Sequence, residues 1–324
     1  MPVAERMLSR IAESLFWMAR YMERAEDTAR ILDVNYHMLL EQSQQTYRLR
    51  WEPLVNISGE QERFFKPYSM ATTQTVFEFL GFHEENPNSI TQCIYHAREN
   101  ARTIRDRISR EMWQDINSLY HMVSKFNPAE EIAVGPHRFC STIKYGSHRF
   151  HGVSDDTLPH DEGWQFLQLG RALERAEMTA RIVDVEYHNL IEGRDPDDPE
   201  TTEPDHHQWM AVLKSVAAYE IYRRQYHSRI DPERVAELLI LHPQHPRSIR
   251  FNVATIQNSL RAISGSSPGG YSNEAERLTG KLHESLMYDR IEEIFERGLH
   301  TFLTGVQDTC RQIGYQIART YFYY

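Results

Sequence analysis

Cysteine is scarce: Cys93, Cys140 and Cys310 stand far apart in 324 residues and form no C-x-x-C pair. That excludes a disulfide framework and reads as reduced thiols in a reducing compartment, so a cytoplasmic location is expected. Long apolar runs are missing too. None approaches the roughly 18 residues that suggest a membrane span, and no membrane association is expected. Glu5, Arg6, Arg10, Glu13 and Arg20 interrupt residues 1–21, where a signal peptide would need a continuous apolar core. Positive charge is in deficit: 36 Lys and Arg against 46 Asp and Glu give a formal net charge of -10. A sequence-independent phosphate-backbone binder needs the opposite balance, so nucleic acid is not expected as a partner.

The usual marks of chemistry are absent as well. There is no H-E-x-x-H, and the one Glu-x-x-His match, Glu203 to His206, falls in a Pro-rich stretch rather than on a helix. A ferritin-like di-iron centre is therefore disfavoured. Among sixteen histidines, the pairs His148/His151 and His242/His245 have the spacing of surface or helix-end residues, and no metal is expected. No Walker A, dinucleotide fingerprint, G-x-S-x-G elbow or cysteine-nucleophile motif occurs, so no cofactor is predicted. The Gly/Ser/Pro run 264–270 reads as a flexible linker.

What the sequence has is helix. Apolar residues recur at three- and four-residue spacing along most of the chain, and no series of alternating segments suggests strands. Long helices are predicted over 4–45, 89–126, 161–191 and 273–323, with shorter ones over 132–153, 206–227, 232–241 and 245–265. Asp231 before Pro232 marks a helix start, as does Ser89 with Gln92. An acidic, Pro-rich loop covers 192–205.

One of these helices occurs twice. RYMERAEDTARILDVNYH, beginning at Arg20, and RALERAEMTARIVDVEYH, beginning at Arg171, are offset by 151 residues and agree at thirteen of eighteen positions. A duplication is the natural reading. A weaker echo sets Asn86-Pro87-Asn88-Ser89-Ile90 against His245-Pro246-Arg247-Ser248-Ile249, with Arg102 then opposite Arg261. The expected fold is all-α, a helical bundle of two pseudo-repeated halves, 1–156 and 157–324, packed around a shared core as one integrated domain.

Within the repeat, Leu15, Met18, Met22, Ala25, Ala29, Leu32, Tyr36 and Leu39 form an apolar seam, and Phe166 to Leu190 repeats it. Beside the seam runs a polar stripe, Glu23, Glu26, Arg30, Asp33 and His37, matched by Glu174, Glu177, Arg181, Asp184 and His188. Ile31 and Val34, and likewise Ile182 and Val185, make the stripe's other flank apolar. A stripe of charge between two apolar strips is expected at a helix–helix interface or an interior groove. There Glu26–Arg30 and Glu177–Arg181 have pairing geometry. Arg24 and Arg175 point away from the stripe and are placed to bridge to another helix.

Three uses follow. The stripes can line a groove in which Arg24, Arg30, Arg175 and Arg181, with Arg98 and Arg102 of the helix from Ser89, bind a carboxylate- or phosphate-bearing small molecule or peptide. Glu26, Asp33, Glu177 and Asp184 complete that candidate binding set. They can form an active site for a carboxylate, amide or phosphorylated intermediate, with Glu23 and Glu174 as acid or base. Or they can be a buried ion-pair network in a structural protein, whose long helix faces also admit a homo-oligomer.

Three blocks in order carry a family resemblance: MLSRIAESLFWMARYMERAEDTARILDV, NPNSITQCIYHARENARTIRDRISREMW and DEGWQFLQLGRALERAEMTARIVDVEYH. They resemble the bacterial alpha-E family, an alpha-helical domain named for a Glu-Arg motif, which maps onto Glu23-Arg24 and Glu174-Arg175. The resemblance implies a context beside, or fused to, circularly permuted ATP-grasp proteins and transglutaminase-like proteins. From it we expect an accessory or substrate-binding component of an ATP-grasp-linked amide- or peptide-forming system.

Overall fold

The computed structural model describes residues 7–41, 51–188, 206–227 and 229–323. Every regular element among them is helical. The expected loop 192–205 lies outside the described residues. Two long helices form the centre: α1 (Ser9–Glu41) and, after seven intervening helices, α9 (Glu162–Tyr187). They run side by side in the same direction, since the Met7 amide donates to Glu162 near their starts and Arg24 reaches Glu174 a few turns on. Their apolar seams make the core. Leu15, Met18, Met22, Ala25, Ala29 and Leu32 are buried, as are Phe166, Leu169, Leu173, Ala176, Ala180 and Val183.

Around α1 pack α5 (Ile90–Thr103) and α8 (His137–Thr157), with α6 (Arg110–Val123) between those two. Around α9 pack α13 (Ile249–Ser264) and α16 (Leu299–Ile317), with α14 (Glu274–Tyr288) in the corresponding place. The short helix α2 (Glu52–Ser58), which follows α1, crosses to α9, and α10 (His206–Ser215), which follows α9, crosses to α1. The remaining short helices are α3 (Gln61–Phe64), α4 (Thr73–Gly81), α7 (Pro128–Val134), α11 (Tyr219–Tyr226), α12 (Pro232–Leu241) and α15 (Ile291–Arg297).

Several helix starts follow local chemistry. Asp161 accepts from the Gly163 amide to begin α9, Ser89 from Gln92 to begin α5, Ser248 from Phe251 to begin α13 and Asp231 from Arg234 to begin α12.

Other boundaries correct the expectation. The helix predicted over 89–126 is a hairpin: α5 stops at Thr103, buried Ile104 and Ile108 anchor the turn, and Ser109 caps α6. Arg98 bonds to Asn117, and Tyr95 faces Tyr120, so the arms are antiparallel. Both arms share the helical period, which therefore runs through the turn without a break in pattern. The helix predicted over 273–323 is likewise α14, α15, α16 and a closing π-helical turn, Ala318–Phe322. Gly298, at φ +93°, separates α15 from α16. The stretch 206–227 breaks between α10 and α11, where Ala217 takes φ +50°. No described helix is long and apolar enough to cross a membrane. All three cysteines are buried and free.

Candidate functional site

The charged stripes meet where α1 and α9 cross, and the Glu-Arg dipeptides clasp each other. Arg24 of α1 places Nε 2.5 Å and Nη2 2.9 Å from the two carboxylate oxygens of Glu174 on α9. Arg175 of α9 does the same to Glu23 of α1, at 2.7 Å and 2.8 Å. Each is a two-pronged guanidinium–carboxylate pair, the strongest geometry for such a bond. The residues point away from their own stripes, as spacing predicts, because their partners lie on the other helix.

The clasp extends differently on its two sides. Towards Glu174, Arg20 donates to Glu174 at 2.7 Å and to Glu177 at 3.1 Å, and Glu177 also pairs with Arg181 one turn on. Arg24 also reaches Asn88, which donates to Glu60. Towards Glu23, a residue from the far end of the chain intervenes. Arg247, just before α13, sits 3.2 Å from Glu23 and pairs with Glu26 and Asp27. Glu26 additionally accepts from Arg30 at 2.7 Å and Ser147 at 2.9 Å, and His148 stands 3.2 Å away. Arg171, the counterpart of Arg20, turns instead to Gln168.

The carboxylates of this cluster are buried, and its arginines are buried or partly so. Glu23 and Glu26 are wholly buried, Glu174 and Glu177 are 4% and 6% exposed, and Arg247 is 7% exposed. Burial alone would raise the carboxylates, but Arg175 and Arg247 outweigh it and hold Glu23 well below the usual range. Burial at Glu174 is likewise overcome by Arg20 and Arg24, which hold it at about 2. Asp27 goes the other way: burial, reinforced by Glu23 and Glu26 and only partly opposed by Arg247, pushes it up to about 7. Its Oδ2 has no hydrogen-bond partner.

Glu23 and Glu174, buried in two-pronged guanidinium pairs and held below the usual carboxylate range, are poor acids or bases for an incoming substrate. The described clefts of about 300, 420 and 440 Å³ are lined by other residues. Glu23, Glu26 and His151 do bring ligand atoms within 4.8 Å of one another. The guanidiniums of Arg175, Arg247 and Arg30 already occupy those carboxylates, and their charge opposes a cation there.

The remaining candidates scatter. Arg98 and Arg102 stay apart from the clasp: Arg98 bonds Asn117 and Glu99 and covers the Tyr120 ring, and exposed Arg102 pairs with Glu99. Asp33 faces His137 and Lys144 of α8, and Asp184 faces His300 and Gln307 of α16. Arg20, Asp27 and Arg247 are charged residues of the cluster that the candidate set misses. Arg247 was visible in the echo 245–249, where it stands opposite Asn88, and Asp27 stands opposite Met178 in the main repeat. The buried Asp27–Arg247 pair thus takes one residue from each half, and the two equivalent positions hold Met178 and Asn88.

Two curated relatives, an uncharacterised protein of Mycobacterium bovis and one of Mycobacterium tuberculosis strain CDC 1551 / Oshkosh, are each 24% identical over 329 residues. The alignment covers 94% of this chain but only 36% of each relative, so the chain spans about a third of their length. No solved structure matches. Residues 7–322 match the family model Alpha-E, "a predicted alpha-helical domain with a conserved ER motif", and the chain belongs to that family.

Proposed function

We propose that this protein is a binding and scaffolding component of an amide- or peptide-forming system, acting beside circularly permuted ATP-grasp and transglutaminase-like proteins. Its Glu-Arg motif is then an architectural clasp. The observation that carries this reading is the reciprocal, buried closure of Arg24 on Glu174 and Arg175 on Glu23. Groups so committed hold two helices in one relation and present no reactive atom. The longer relatives are in keeping with it, since this chain spans about a third of their length, as a module carried within a longer protein would. The ATP-grasp and transglutaminase partners are those that the family resemblance implies.

The test separates clasp from active site. Purified chain is mixed with the circularly permuted ATP-grasp protein of the same source, and complex formation and ATP-dependent ligation are measured. Association, with ligation altered by the added chain, is expected. Glu23→Gln and Glu174→Gln should lower the melting temperature and weaken association only in proportion to the folded fraction lost. A variant that keeps its melting behaviour and its complex but loses turnover would return the motif to catalysis. Absence of both association and any effect on ligation would remove the partner.

A further inference from the structure

We propose that the ends of the two central helices carry a pair of divalent-cation sites, Asp33/His37/His137 in the first half and Asp184/His188/His300 in the second, each selecting a late transition ion such as zinc. This rests on geometry away from the clasp and stands or falls separately from it.

Asp33 and His37 are four residues apart on α1 and share a face. His137, the first residue of α8, comes to the same point. Its Nδ1 lies 2.9 Å from Asp33 Oδ1, and His37 Nδ1, which is hydrogen-bonded to the Asp33 main-chain oxygen at 2.7 Å, lies 3.4 Å from that same carboxylate oxygen. One ligand atom from each of the three residues falls within 4.8 Å of the others. A tetrahedral zinc with bonds of about 2.0–2.1 Å holds its ligand atoms roughly 3.3 Å apart, so small side-chain movements complete the set. Two imidazoles and one carboxylate suit zinc, nickel or cobalt better than calcium or magnesium, which take oxygen.

The surroundings match what a ligating carboxylate needs. Asp33 is 5% exposed, and Lys144 holds its Oδ2 at 2.5 Å, which leaves Oδ1 to the two rings. Outer hydrogen bonds of this kind orient metal ligands. The histidine side chains are 50% and 62% exposed, so an ion there would keep a position open to water or to a bound ligand.

The second half keeps the carboxylate and one imidazole together and holds the second imidazole farther off. His300 Nδ1 lies 2.7 Å from Asp184 Oδ1, and Gln307 donates to Asp184 Oδ2 at 3.2 Å. His188 follows Asp184 as His37 follows Asp33, with its ring 6.5 Å from that of His300 against 5.2 Å in the first half. Helices α8 and α16 have otherwise diverged: between 137–151 and 300–314, only His and Phe are shared. The Phe is a packing residue, buried at Phe139 and partly buried at Phe302. The histidine is more than half exposed in both halves, where hydrogen bonds and ion pairs contribute little. Retention of an exposed histidine beside a sequestered aspartate in both halves is what ligation explains.

Besides that wider ring spacing, the two differ in charge. Lys144 is a cation beside the first carboxylate, where Gln307 is neutral beside the second. Lys144→Gln should therefore tighten the first site towards the second.

The full chain, stripped with a chelator, would be titrated with Zn²⁺ by calorimetry and with Co²⁺ by its visible absorption. Two ions per chain are expected, with absorption of the intensity given by four-coordinate cobalt. His137→Ala and His300→Ala should each remove one ion and the double variant both, with helical content unchanged by circular dichroism. Lys144→Gln should raise the affinity of one ion severalfold, an effect a mere hydrogen-bonded staple would not show. His242→Ala, at a histidine pair elsewhere, should change nothing. Absence of binding by the wild-type chain, or two ions retained by the double variant, would overturn the proposal. Retention of both ions by either single variant would remove that half's site.

Discussion

Arg247 gives the sharpest test of the clasp, because the repeat supplies its own replacement. The residue at the equivalent place in the first half is Asn88, and the equivalent of Asp27 in the second half is Met178. Arg247→Asn alone removes a buried cation that serves Glu23, Glu26 and Asp27 at once. Glu23 keeps Arg175 and Glu26 keeps Arg30, but Asp27 loses the one ion pair it makes among the described residues. Breaking a buried pair from one side costs about 3–5 kcal/mol, and this substitution should fall in that range.

Asp27→Met alone should be nearly neutral, within about 1 kcal/mol, or slightly stabilising. Burial already pushes that carboxyl up to about 7 and one of its oxygens is unpartnered, so its removal relieves a desolvation cost. The double variant should then recover about 1–3 kcal/mol relative to the sum of the singles, the range of coupling between contacting residues. Recovery has a structural route, since Arg171 can leave Gln168 and serve Glu23 as Arg20 serves Glu174. Adding Arg171→Ala to the double variant should remove that recovery. Urea unfolding followed by tryptophan fluorescence measures each step. The reasoning fails if Arg247→Asn costs less than about 1 kcal/mol, or if the double variant is as unstable as the two singles added.

Three further outcomes follow from the same geometry. A Cβ on Gly170 would lie 2.1 Å from the Phe16 carbonyl oxygen, so Gly170→Ala should force α1 and α9 apart and cost at least 1–3 kcal/mol in thermal or urea unfolding. At Gly152, also helical, a Cβ meets nothing within 4 Å, and Gly152→Ala should be stabilising by roughly 1 kcal/mol or less. The pH dependence splits by sign. Asp27 is raised from 3.8 to about 7, so the folded state binds the extra proton between those values and stability falls as pH rises through that window. Asp27→Asn should flatten that slope in a series of unfolding curves from pH 4 to 7.5. Glu174, lowered from 4.5 to about 2, contributes stability present above pH 4.5 and lost as pH falls towards 2, and Glu174→Gln should remove that acid limb.

Much of this arrangement was legible in the chain, for definable reasons. The seam and the stripe follow from the helical period, and thirteen shared positions name the two helices that carry them. The direction of Arg24 and Arg175 was also readable, since adjacent Glu and Arg side chains diverge by over a quarter turn. What periodicity does not encode is where a helix folds back. The α5–α6 hairpin keeps its period through Ile104 and Ile108, and only Ser109 marks the new start. Nor does it encode which distant residue completes a buried cluster. Arg247 and Asp27 are unremarkable singly; they stand out only when the two repeats are subtracted from one another. Whether the stripes form a groove or a closed interface depended on the separation of α1 and α9, which Gly170 sets through backbone contact with Phe16.

Why charge lies at this seam can itself be tested. Two parallel helices with nearly the same apolar sequence, such as α1 and α9, can also pack one turn out of register with little loss of apolar contact. The reciprocal pairs forbid it. A one-turn slip would set Arg24 beside Gly170 or Met178 and Arg175 beside Ala19 or Asp27. One direction leaves buried Glu23 facing Thr179 and the other leaves buried Glu174 facing Thr28, so each slip strips one glutamate of its two-pronged pair. Apolar residues thus choose which faces meet, and the crossed ion pairs choose the register. Replacing one pair as a unit, Arg24→Leu with Glu174→Met, removes both charges and their desolvation cost together. Stability should then stay within about 1 kcal/mol of wild type or rise, while α1 and α9 lose their single arrangement. Amide NMR and hydrogen exchange would read this as broadened or doubled signals and weakened protection along those two helices. A variant with sharp single signals and native protection would show that packing alone, with Gly170 as its close contact, sets the register and that the charges do something else.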